Sequence, residues 1–273
     1  MKKERVYLFN SKEIFFDAFI HSDKIKRGAV VVCPGGAYTN LADHEGDPVA
    51  LKYYEAGFNA FTLHYSIKEN ATFFNPLRDL SVAIKTIREK SEDYNIDVNK
   101  IAVVGFSAGG HLSLSLGALW NNPKLREVSN CKNEENKPNA IILGYPVCGA
   151  RFWYFHKSIF DVLTKGRTEK EGKELLHNPK NVGPHTPPVF LFSTFYDNCV
   201  PIEESLELMQ ALAKNNVPFE SHIYPNGRHG LGLAENDSDL KRWNELSIKW
   251  LSRLFKDEDK NEPRATQKIT EEI

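Results

Sequence analysis

No apolar run in this chain approaches the roughly 20 residues that a helix needs to cross a bilayer, which argues against a membrane-spanning protein. Cysteine is scarce. The four present, Cys33, Cys131, Cys148 and Cys199, show no C-x-x-C spacing, so neither a zinc site nor a disulfide framework is expected, and the thiols are expected to be reduced. An excess of one charge is also missing. With 35 basic against 36 acidic residues the formal charge is -1, which offers no field for gathering nucleic acid or anionic lipid. The opening MKKERVYLFN has only four apolar residues between its basic start and Asn10, too few for the core of a secretion signal. A cytoplasmic protein with a small, weakly charged ligand is therefore expected, and no motif calls for a metal or an organic cofactor.

Of the 273 residues 41% are hydrophobic, enough for a sizeable core. From about residue 28 to 255, apolar runs alternate with segments of helical period, the pattern of a mostly parallel sheet with helices on both faces. Strands are predicted at 28–36, 59–66, 100–107, 139–147, 187–195 and 219–225, their near-continuous Val, Ile, Leu and Phe suiting burial on both faces. RVYLF and IFFDAFI, upstream, read as an antiparallel edge on which a second copy of the chain could pair. Leu77, Leu80, Ile84 and Ile87 mark one helix face, and Leu240, Trp243, Ser247, Trp250 and Leu254 another. Pro48, Pro76 and Pro201 stand where first helical turns begin. Residues 121–138 are polar and turn-rich and read as a surface loop. One domain is expected over 1–255, with an aromatic-rich insertion at 149–186 lying over the sheet's rim. The tail 256–273 lacks a hydrophobic face and is expected to be disordered.

The segment IAVVGFSAGGH runs a buried strand straight into Ser107, with glycines at 105, 109 and 110. A serine between a strand and a helix must turn the chain sharply. Small flanking residues let the two elements approach, and the turn lifts the hydroxyl above the sheet. A hydroxyl becomes a nucleophile only when a base takes its proton, and imidazole is the usual acceptor near neutral pH. Of nine histidines, His229 follows the last predicted strand in a glycine-rich loop that can bring it over the rim. His111, one helical turn past Ser107, is expected to point away, and His64 and His222 fall inside strands. His21, His44, His156, His177 and His185 lie in turns or loops. Asp197, just past a strand end, is the carboxylate best placed to orient the ring, with Asp161 of the insertion its main rival. For the oxyanion of a tetrahedral intermediate, Ala108 at the helix start and Gly36 or Ala37 in CPGGAY offer backbone N–H groups. Tyr38 in the same turn, and Trp153 and Tyr154 in the insertion, are candidate substrate contacts, the aromatic cluster reading equally well as a lid packed on itself.

Chain order Ser107, Asp197, His229 matches that of the α/β-hydrolases. Across about residues 28–255 the sequence resembles esterases of that fold related to acetylxylan esterases and feruloyl-esterase-like domains. The resemblance rests on VVVCPGGAY, IAVVGFSAGGHLSLSL, GYPV, the D-x-x-V-P segment at Asp197 and the G-x-H-G segment at His229. It implies the same three residues as nucleophile, acid and base, and the Gly-Gly turn with Ala108 as oxyanion hole. Two departures stand out: Ala37 where the family commonly has a third glycine, and Ser193-Thr194 where it commonly has His-Thr. The methyl of Ala37 is expected to narrow the acyl pocket or tilt one oxyanion donor. A serine carboxylesterase releasing small acyl groups from sugars is the expectation. An amidase, formamidase or small peptidase of the same fold, or a silent binding protein on this scaffold, are the alternatives.

Overall fold

The computed structural model describes residues 1–149 and 157–257. Among these residues eight strands form one sheet: β1 (Lys2–Tyr7), β2 (Phe15–Ile20), β3 (Arg27–Cys33), β4 (Asn59–His64), β5 (Ile96–Phe106), β6 (Ala140–Gly144), β7 (Val189–Thr194) and β8 (Phe219–Tyr224). Their order is β1-β2-β4-β3-β5-β6-β7-β8. β2 joins β1 and β4 antiparallel, and every pairing from β4 through β3 to β8 is parallel. This is the α/β-hydrolase arrangement, and the N-terminal pair forms the antiparallel edge that its sequence suggests. The outermost strand carries Lys2, Lys3, Glu4 and Arg5, charges of the kind that blunt a free edge.

The uniform apolar runs follow from helices on both faces. Along β3, Ala29, Val31 and Cys33 join one buried cluster while Val30 and Val32 join the other, and β5 alternates likewise through Ile101, Val103 against Ala102, Val104. One face is covered by α1 (Asp47–Glu55) and α10 (Arg242–Asp257), which bury Tyr53, Trp243, Trp250 and Leu254. The other face receives Leu77, Leu80, Ile84 and Ile87 of α2 (Asn75–Glu89), followed by the short α3 (Ser91–Tyr94), and the central α4 (Ser107–Leu119). Pro48 and Pro76 sit in the first turns of α1 and α2.

Residues 121–138 are not wholly a loop: α5 (Pro123–Val128) buries Leu125, and the Asn122 side chain caps it by accepting from the Lys124 and Leu125 N–H groups. The rim insertion holds α6 (Lys157–Leu163), α7 (Glu169–Leu176), begun by a Thr168/Glu171 capping box, and α8 (Asn178–Asn181). The helix α9 (Ile202–Lys214) starts directly after Pro201. The last helix reaches Asp257, two positions past the expected boundary, and the rest of the tail lies outside the described residues.

Glycine at the β5–α4 junction answers a steric demand. A Cβ on Gly109 would sit 2.1 Å from the Cys33 carbonyl oxygen, and one on Gly105 would sit 2.2 Å from the Gly109 carbonyl oxygen. Both clashes are with backbone, which cannot swing aside. Gly109→Ala is therefore expected to lower the unfolding free energy by about 2 kcal/mol or more, measured by urea denaturation. An unchanged midpoint would mean that α4 rides less closely on β3.

Candidate active site

Ser107 is the first residue of α4 and takes φ +51°, the sharp left-handed turn that a side chain tolerates only under constraint. The turn is braced from behind, because the Ser107 carbonyl accepts from the Val147 N–H at 3.2 Å, beyond the end of β6. His229 lies in the loop after β8, and its Nε2 stands 2.8 Å from Ser107 Oγ. Its Nδ1 lies 2.8 Å from Asp197 Oδ2 in the loop after β7. Three carboxyl-end loops of the sheet thus bring together residues separated by up to 122 positions.

Asp197 is firmly held. Its Oδ1 accepts from the Cys199 and Val200 N–H groups at 2.8 and 2.9 Å, so only Oδ2 faces the imidazole. Burial by itself would raise the Asp197 pKa, but the hydrogen bond to His229 and those from the two backbone amides outweigh it and hold the carboxyl below its ordinary value. An ionised carboxylate accepts from Nδ1–H, which leaves Nε2 as the basic nitrogen facing the serine. Asn198 adds a bond from the His229 backbone N–H to its side-chain oxygen at 3.1 Å.

The turn after β3 approaches the same hydroxyl. Gly36, Ala37 and Tyr38 take consecutive positive φ values of 122°, 54° and 57°, and a Cβ on Gly35 would lie 3.1 Å from Ser107 Cβ. Gly36 and Ala37 line a cleft of about 500 Å³ together with Ser107 and His229. Ala108, buried beneath, is the second residue of α4, where a helical N–H has no intrahelical acceptor. These are the N–H groups that the sequence singles out, that of Ala108 at the positive end of the α4 dipole.

Tyr38 is a correction. Its side chain is 1% exposed and its hydroxyl meets His111 Nδ1 at 3.0 Å, because the left-handed backbone at 38 turns the ring inward; it does not line the cleft. His111 points away from Ser107 as expected, its other nitrogen bonded to the Leu176 carbonyl. Trp153 and Tyr154 lie outside the described residues, but Ile159 of α6 lines the cleft, so the insertion does reach the rim. Asp161, the rival acid, is exposed and paired with Lys157. His64 pairs loosely with Asp17 at 4.0 Å, and His222 bonds Glu220 within β8 at 3.0 Å, so neither joins the site.

Sequence reasoning passed over Glu45, Tyr145 and Asn198, and left His44 among the loop histidines, although it too lines the cleft. Glu45 is buried and accepts from the Gly35 N–H and the Tyr145 hydroxyl, while Tyr145 sets its ring edge against His229, centroids 5.0 Å apart. The one available signal was GYPV, whose tyrosine stands at the carboxyl end of a central strand. Among the described residues no group of His, Cys, Asp and Glu is arranged to hold a metal ion, and no helix is long and apolar enough to cross a membrane.

Comparison with known proteins agrees with this architecture. The chain is 34% identical over 234 residues to endo-1,4-beta-xylanase B of Butyrivibrio fibrisolvens, an alignment covering 83% of this chain and 36% of that protein. It is 29% identical over 219 residues to an acetylxylan esterase of Xylanibacter ruminicola, covering 76% and 41% respectively. The chain thus spans well under half the length of these two curated relatives. Among solved structures, the acetyl ester-xyloside bifunctional hydrolase of Caldicellulosiruptor lactoaceticus superposes with a TM-score of 0.82 at 32% identity, covering 92% of this chain and 96% of that one. The family model described as BD-FAE matches residues 17–212, a span that takes in the turn at Gly36–Tyr38, Ser107 and Asp197, and with most of its length inside that match the chain belongs to the BD-FAE family.

Proposed function

We propose that the protein is a serine carboxylesterase that removes short acyl groups, acetyl foremost, from sugars or xylo-oligosaccharides. The observation that carries this reading is the pair of 2.8 Å contacts placing one imidazole between Ser107 Oγ and the Asp197 carboxylate. In the proposed cycle Oγ attacks the ester carbonyl while His229 Nε2 takes its proton. The tetrahedral oxyanion forms against the N–H groups of Ala108 and of Gly36 or Ala37. Collapse breaks the carbon–oxygen bond to the alcohol, which leaves with the proton from Nε2. Water then gives a proton to the same nitrogen, attacks the acyl-serine and releases the acid, and the proton returns to Oγ.

Because Nε2 must protonate the leaving alcohol, the alcohol belongs on the His229 side of the cleft, where Gly230, His44 and Asn198 offer polar groups. The acyl group then faces Ala37, Val147, Ile159 and Val200, which belong to a single apolar cluster. The sugar acetate follows from that division, a small apolar wall opposite a polar one, and from the similarity to an acetylxylan esterase and an acetyl ester-xyloside hydrolase. Four unpaired thiols suit the reducing cytoplasm, proposed here as the site of action and open to cell fractionation.

A substrate panel tests the reading. Turnover of p-nitrophenyl acetate is expected to exceed that of the octanoate by at least about tenfold, since each methylene that finds no room forfeits binding, and acetylated xylo-oligosaccharides are expected to release acetate. Faster cleavage of acyl anilides than of the matching esters would replace the esterase reading with an amidase.

A further inference from the structure

The side chain of Glu45, 2% exposed, lies between two halves of the site that share no strand. Its Oε2 accepts from the Gly35 N–H at 2.8 Å, one residue before the oxyanion turn. Its Oε1 is 2.6 Å from the Tyr145 hydroxyl, which also receives the Gly232 N–H at 2.8 Å. An N–H can only donate, so the tyrosine's single proton must go to Glu45, and both carboxyl oxygens act as acceptors. Gly232 belongs to the loop that carries His229, and its carbonyl accepts from Trp243 Nε1 at 3.0 Å. Outside this chain of bonds, His44 Nε2 reaches the Gly230 carbonyl at 3.1 Å and lies 3.8 Å from Glu45 Oε1.

We propose that Glu45 is a positioning residue: through its bonds to Gly35 and, via Tyr145, to Gly232, it sets the oxyanion turn and the His229 ring in register with each other. The inference rests on the hydrolytic reading above. The oxyanion turn needs such a device, because positive φ at three successive residues, two of them not glycine, is a disfavoured backbone that persists only where its surroundings hold it. The imidazole needs one because Asp197 fixes its tilt from one edge only, while the Tyr145 ring closes a second side. Burial above all, and then Glu45 itself, push the Tyr145 phenol well above its ordinary pKa, so it remains a proton donor across the working range. The groups that face His229 are Asp197, Ser107 and Tyr145, with Glu45 bonded behind the tyrosine, His44 on the Gly230 carbonyl beside it and Arg228 on the His229 carbonyl.

Glu45→Gln and Tyr145→Phe test this. A glutamine can offer its oxygen to only one partner, and phenylalanine removes the bridge while keeping the ring against His229. Each variant is expected to lower kcat for p-nitrophenyl acetate by about 10- to 100-fold, the cost of a small misplacement of reacting groups, with KM within about twofold of the parent. The double variant is expected to resemble either single one, because both cut the same bracket. A purely structural glutamate would lower Tm and leave kcat unmoved below the transition, which overturns the proposal. If Glu45→Gln fails to fold, Tyr145→Phe decides: a lowered kcat with a parental Tm supports the bracket, and a parental kcat overturns it. Activity in Ser107→Ala within about tenfold of the parent would sink the hydrolytic reading and this one together, whereas parental behaviour of Glu45→Gln beside a Ser107→Ala variant reduced by orders of magnitude sinks this one alone.

Discussion

Ser107→Ala is expected to reduce kcat for p-nitrophenyl acetate by about 10⁵- to 10⁶-fold, the scale on which loss of a serine nucleophile acts elsewhere. The loss should fall on kcat rather than KM, because the cleft walls at Val147, Ile159 and Val200 are untouched. Some rate above the uncatalysed reaction is expected to persist, since the oxyanion donors and the cleft still act without the nucleophile. The substitution removes one oxygen from a residue whose φ is +51°, and alanine, with the same Cβ, bears about the same cost there as serine. Tm should therefore stay close to the parent's, so that a dead enzyme is not merely an unfolded one. Steady-state kinetics beside a melting curve checks both halves of the expectation.

Asp197→Asn is expected to cost about 10⁴-fold in kcat, and the hydrogen bonds around it say why. Two backbone N–H groups, from Cys199 and Val200, converge on Oδ1. They admit only an oxygen there, so an asparagine at 197 must turn its amide nitrogen toward His229. That nitrogen donates, so Nδ1 must accept, and the remaining ring proton moves to Nε2, where it blocks the base. The fold should survive, because the loop's own bonds are kept. In the parent, the depressed Asp197 pKa has a corresponding signature. The carboxylate is still ionised where an ordinary one would be half protonated, so the acid limb of kcat/KM should fall with the slope of one proton, taken up by the imidazole. The stability that Asp197 contributes follows the same sign. Its folded pKa is lowered, so this contribution is present above the unfolded value and is lost only as pH falls through the folded one. A limb of slope two over the imidazole range, or an Asp197→Asn variant within tenfold of the parent, would show that the carboxylate does not hold the ring.

What was legible in the sequence depended on how local the signal was. The buried strands announced themselves because helices on both faces make every position apolar, as in the valine run of β3. The start of β5 was not legible: the apolar run begins only after Lys100, yet the strand extends back past Asn99 and Asp97 to Ile96, which pairs with Arg27 across an irregularity in register. The helix at 123–128 was hidden by its polar face, although Asn122 followed by Pro123 was a start signal. Ser107, Asp197 and His229 could be placed because each follows a strand end, and strand ends converge on one rim. Tyr38 could not, because nothing in CPGGAY tells which way three left-handed residues turn a ring. Glu45 was the least visible. An acid in ADHEGDP reads as solvated, and only the approach of Gly35 and Tyr145, which no local pattern encodes, encloses it.

The account's central claim, an activated hydroxyl at residue 107, is tested most directly by a fluorophosphonate probe followed by mass spectrometry of the labelled peptide. The account predicts a single phosphonyl adduct on Ser107, formed more slowly as pH falls and absent from Ser107→Ala. An adduct on another residue, or labelling undiminished in the alanine variant, would contradict it.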